Sequence, residues 1–149
     1  MGDAAKVTKL LSIQDAQFFI NYQDAHGATP LLFAAATGHV AVTEKLLAAR
    51  CNVDLQDKDG YTTFHAADVN GHESVTKQLL QVRCNVELQS ENGCTPLNFA
   101  AQHGYVSVTK LLIDARCNVD IQAKDGGTPL CSAAADGHAS VSELRPFRL

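Results

Sequence analysis

The chain has 149 residues, of which 46% are apolar and 19% charged, with a formal net charge of −4. That is enough polypeptide to bury one domain's core, in proportions that a disordered chain does not show. Its lysines and arginines occur singly or in pairs, without the dense basic face that displaces counterions from a duplex, so nucleic acid is not an expected partner.

In chain order, Gly2 to Leu11 predicts a short helix ending on Leu10-Leu11, followed by twelve steps from Leu11 to Gln23. From there the sequence repeats. Gly38, Gly71, Gly104 and Gly137 are spaced by 33, as are Cys51, Cys84 and Cys117, and Gln23, Gln56, Gln89 and Gln122. Each copy reads as a turn, a short helix, a glycine and a second helix. Asp57-Lys58-Asp59-Gly60 is such a turn, with a glycine free to take positive φ. Thr29-Pro30, Thr95-Pro96 and Thr128-Pro129 set an N-cap hydroxyl before a first-turn proline. The Ala-rich helix that follows, for example Leu31 to Ala36, stops at the glycine. The second helix carries Val42, Leu46 and Leu47 on one face. One such pair cannot bury its apolar face, whereas stacked neighbours can. The uncharged stretch Ala25 to Thr43 is broken by Gly27, Pro30 and Gly38, which argues against a membrane span. Met1 is not followed by the apolar core of a signal peptide. Five cysteines without a CxxC pair fit a reducing, intracellular setting, most simply the cytoplasm.

The 33-residue period, the Thr-Pro-Leu starts, the Ala-Ala pairs and the Gly-His turns resemble the ankyrin repeat over essentially the whole chain. The resemblance implies a single domain: an all-α repeat solenoid of helix-turn-helix units with β-hairpin or turn fingers. The expected units are a partial one over 1–22 without a first helix, full ones over 23–55, 56–88 and 89–121, and a truncated one over 122–149. In that last unit Arg145-Pro146 replaces Leu46-Leu47, so its second helix should end near Leu144, with Phe147 and Leu149 folding back over the end. The chain could thus be a piece of a longer array or a short protein with poor caps. Of the histidines that usually interlock neighbouring repeats only His65 is present, against Leu32, Asn98 and Cys131. Thr63 replaces a proline, and Asp68 replaces one alanine of the pairs seen at Ala34-Ala35, Ala100-Ala101 and Ala133-Ala134. A carboxylate there needs solvent or a partner, so Asp68 is expected to reach an edge of the stack or the binding groove.

Three constellations could carry chemistry. Cys51, Cys84 and Cys117 form a ladder across helices about 8–10 Å apart, too open for a zinc site, so buried structural thiols are expected and no metal or cofactor. Arg50, Arg83 and Arg116 form a second ladder, expected to be neutralised by Asp54, Glu87 and Asp120 four residues on. His39, His72 and His138 recur before the second helices and point to a structural role; His26 and His103 are irregular and expected to be exposed. There is no nucleophile elbow, HExxH or Gly-rich phosphate loop, so no catalysis is expected. The resemblance implies a monomeric protein-binding module using its concave face and fingers. Mapped onto this chain, the expected contacts are His26, Lys58, Asp59, Tyr61, Glu91, Asn92, Cys94, Gln102, His103, Lys124 and Asp125, with Tyr61 as an exposed aromatic anchor. The alternative is an architectural or targeting fragment of a larger scaffold or enzyme.

Overall fold

The structure, a computed structural model, describes residues 4–12, 19–82 and 84–144. Among the described residues nine helices are bounded and no strand forms. They are α1 Ala4–Leu11, α2 Pro30–Ala36, α3 Val40–Ala48, α4 Thr63–Val69, α5 Glu73–Gln81, α6 Pro96–Gln102, α7 Val106–Asp114, α8 Pro129–Ala135 and α9 Ala139–Ser142. Leu10-Leu11 do close a helix, and the pairs α2/α3, α4/α5, α6/α7 and α8/α9 follow the period. The truncated last helix ends by Ser142; Pro146, Phe147 and Leu149 lie outside the described residues.

The starts form as the Thr-Pro pairs require. Thr29 Oγ1 accepts the Leu32 N–H at 3.1 Å and Thr128 Oγ1 that of Cys131 at 3.3 Å, each with proline in the first turn. In α4, which lacks the proline, the His65 ring supplies the cap. Its Nδ1 accepts the Thr62 N–H at 3.0 Å and its Nε2 lies 3.0 Å from the Cys94 carbonyl. A backbone N–H only donates and a carbonyl only accepts, so the ring is neutral with its proton on Nε2. That proton ties α4 to the next finger.

The first helices pack in a row, α2 on α4, α4 on α6 and α6 on α8, with α1, α3, α5, α7 and α9 as the outer row. Ala35, Ala67 and Ala101, all 0% exposed, let the rows approach closely. Val75, Leu79, Val108, Leu112 and Val141 fill one continuous core; Ile20, Leu31, Ala34 and Leu46 form a second cluster at the amino-terminal end. The recurring ring before each second helix lies on the preceding glycine. A Cβ on Gly38 would stand 2.7 Å from His72, one on Gly71 2.8 Å from Tyr105, and one on Gly104 2.5 Å from His138. His72 Nε2 also donates to the Ala36 carbonyl at 3.0 Å. The histidine ladder is therefore a packing device, in which Tyr105 substitutes for one rung.

Candidate functional site

The fingers are turns, each spanned by a backbone bond from its first residue, Asp24 N to Ala28 O, Asp57 N to Tyr61 O, Ser90 N to Cys94 O and Ala123 N to Gly127 O, at 2.8–3.0 Å, and by a second from its glycine back to that residue's carbonyl. Consecutive fingers are tied by a second set, Lys58 N to His26 O, Glu91 N to Asp59 O and Lys124 N to Asn92 O, each 2.9 Å. Behind them the repeated glutamines bridge neighbours. Gln23 Nε2 donates to Gly27 O and Gln56 O, Gln56 to Gly60 O and Gln89 O, and Gln89 to Gly93 O and Gln122 O. Every amide of this ladder joins its own finger to the next, which holds the finger row in fixed register.

On this row His26, Lys58, Asp59, Glu91, Asn92, Lys124 and Asp125 are all exposed. Gln102 and His103, at the end of α6, are exposed as well; the His103 ring stacks on Tyr105 with centroids 5.8 Å apart and donates from Nδ1 to Phe99 O at 2.9 Å. Cys94 is half-buried, its carbonyl occupied by His65. Tyr61 stands differently from the exposed anchor anticipated for it. It is half-buried, its ring 5.3 Å from Phe99 and 5.5 Å from His65, in a three-ring cluster that spans two repeats. Removal from water also raises its phenol pKa above the ordinary value. Tyr61 therefore contributes to the stack as well as to the face. Phe33 escaped the sequence reading: it occupies the register of Phe99, 66 residues earlier, but stays 54% exposed, whereas Tyr61 lies against Phe99.

Among the described residues Asp54 makes no ion pair with Arg50, and Asp54 and Glu87 each accept from the backbone of the next unit. Asp54 Oδ1 accepts the Asn85 N–H at 3.0 Å and Glu87 Oε1 that of Asn118 at 2.8 Å, each 31 residues on, and Asn21 Oδ1 does the same for Asn52. They are inter-repeat links, since each acceptor lies within hydrogen-bond distance of the next unit's backbone N–H. Arg50 and Arg116 have positive φ, 59° and 62°, the left-handed residue closing a second helix; Arg83 lies outside the described residues. The thiols serve the same helix ends. Cys84 Sγ donates to Leu79 O at 3.1 Å and Cys117 Sγ to Leu112 O at 2.8 Å. Burial pushes Cys84 and Cys117 up to about 12 and Cys51 to about 11, which keeps them protonated and unreactive.

Asp68 reaches neither an edge nor a groove. It is 0% exposed and faces α5 within its own pair, because α4 turns the second alanine position inward. Its one hydrogen-bond partner is Thr76, whose Oγ1 donates to Oδ1 at 2.6 Å; Oδ2 has none.

This fold, with helix pairs stacked in two rows, a tied finger row and side-chain ladders at a 33-residue period, defines a helical repeat solenoid. A family model described as "Ankyrin repeats (3 copies)" matches residues 2–90 and 64–145, and the chain belongs to the ankyrin-repeat family. No curated protein matches the chain. Ankyrin repeats are generally protein–protein interaction modules and typically non-catalytic. No helix among the described residues is long and apolar enough to cross a membrane, and none of their His, Cys, Asp and Glu side chains gather in a group of three or more that could hold a metal.

Proposed function

We propose that the chain is a non-catalytic, intracellular binding module that holds a partner protein along its finger row and the adjoining ends of its first helices. The observation that carries this reading is the register of the row. Backbone bonds fix Lys58, Asp59, Glu91, Asn92, Lys124 and Asp125 side by side with their side chains in water. A surface held rigid before binding loses little entropy when a partner docks. Its alternating charges suit a partner of mixed charge, with His26, Gln102 and His103 at its margins and Tyr61, Cys94 and Phe33 as its apolar part.

A photo-crosslinking residue placed at Asp59, Glu91 or Asp125 should capture one and the same protein in cells. The same residue at Glu44 or Lys110, exposed on α3 and α7, should not. Equal capture from both sets would overturn the assignment of the face.

A further inference from the structure

One substitution gives the α4/α5 pair a feature its sisters lack. Thr43, Thr76 and Thr109 recur at the 33-residue spacing and are each 0% exposed; Thr43 and Thr109 have hydroxyls without a partner, facing units that carry Ala35 and Ala101 where α4 carries Asp68. In the middle of the stack alone, a carboxyl answers the threonine, at 2.6 Å, with its second oxygen sealed from water and unpaired. We propose that Asp68, seated on Thr76, is a proton-operated latch within the α4/α5 pair, whose packing is tight while the carboxyl is protonated and loosens when it ionises.

Among the described residues no charged side chain is paired with Asp68. Neither α2 nor α6 contains a titratable side chain. On α5, Lys77 forms an ion pair with Glu73 at the surface, and on α3 and α7 the charged groups Glu44, Lys45, Lys110 and Asp114 are exposed. The Cys117 thiol is raised first by its own burial and further by Asp68. His65, on α4 itself, is held below its ordinary value by burial and is neutral. An anion sealed from water with one hydroxyl as its partner is costly, and burial accordingly raises the Asp68 carboxyl to about 8 against the counteracting Thr76 bond. Between its ordinary value of 3.8 and about 8 the folded chain therefore binds one proton more than the unfolded chain. Stability falls as pH rises through that window and is level above it. The finger that precedes α4 is tied to the next by the Asp59–Glu91 backbone bond, so a loosened α4 would disturb the finger row there; that consequence rests on the function proposed above.

The test compares the full chain with Asp68→Asn at pH 6 and pH 8, by denaturant unfolding and by hydrogen exchange corrected for intrinsic rates. His65 and the thiols are common to both proteins and cancel. The wild-type folding constant should drop roughly fiftyfold more than that of the variant, with protection lost first in α4 and α5. Asp68→Ala, which matches Ala35 and Ala101, should also be insensitive over this range, and it decides the matter if the asparagine variant does not fold. An equal pH response in wild type and variants, or a loss spread evenly over every helix, would overturn the latch.

Discussion

Asn98 occupies the place of His65 one unit on. Its Oδ1 accepts the Thr95 N–H at 2.8 Å as the His65 ring does for Thr62, yet its Nδ2 is buried without a partner, because the amide is too short to reach the following finger. A histidine there would keep the cap and add an Nε2–H bond to the Gly127 carbonyl, the counterpart of Cys94. Asn98→His should therefore raise stability by about 1 kcal/mol in thermal melts; an unchanged or lower melting temperature would show that the last finger is not placed to accept it. Tyr61 gives a prediction of the opposite sign. Since its ring packs on Phe99 and His65, Tyr61→Ala should lower stability by about 1 kcal/mol or more, while Tyr61→Phe leaves it nearly unchanged. A binding defect in the alanine variant is meaningful only beside the phenylalanine variant. Here the sequence misled for a physical reason: a residue beside a turn glycine reads as exposed, and only the neighbouring unit, folded against it, supplies the covering ring.

At the scale of the element, the period made the helix pairs legible before any coordinates, since Thr-Pro starts and glycine stops are local chemistry. Partners were less legible. Asp54 looks in sequence like the counter-ion of Arg50 four residues earlier, but it serves a backbone N–H 31 residues away, a choice fixed only by stacking. The arginines themselves mark a strained closure. After α7, Arg116 N donates to Ile113 O at 2.9 Å and Cys117 N to Leu112 O at 3.3 Å, the paired bonds of a helix end that needs a left-handed residue. An L side chain at φ 62° costs about 1–2 kcal/mol. Arg116→Gly relieves that strain but gains chain entropy in the unfolded state, so a net gain of about 0.5–1 kcal/mol is expected. Urea unfolding of the pair of proteins measures it. A loss of stability on Arg116→Gly would mean that the guanidinium makes a bond worth more than the strain.

Across the whole molecule, each unit is held by its neighbours, so stability must depend on position in the stack. Gly27, Gly60 and Gly93 each stand within 3.0 Å, measured to a built Cβ, of the next finger's backbone, and Gly38, Gly71 and Gly104 are covered by rings. Their counterparts Gly126 and Gly137 keep the same left-handed φ, 84° and 77°, with nothing among the described residues within 4 Å. The same contrast runs along α8. Ala134 is exposed where Ala35, Asp68 and Ala101 are 0% exposed, and Cys131 is exposed where His65 and Asn98 are buried. The outer helix of this pair, α9, spans four residues against nine in α3, α5 and α7, so it buries Val141 but offers no second turn equivalent to that of Leu79 or Leu112. Fewer buried contacts per backbone bond lower the free energy of local opening. Amides from Ala133 to Leu144 should therefore exchange at least tenfold faster than those of α4 to α7 once corrected for intrinsic rates, in a segment that opens without the rest. Adding denaturant below the unfolding midpoint should leave their exchange nearly unchanged, because a small local opening exposes little surface, while exchange in α4 to α7 accelerates steeply. If both regions showed the same protection and the same denaturant slope, the stack would unfold as one cooperative block and the position-dependent account would fail.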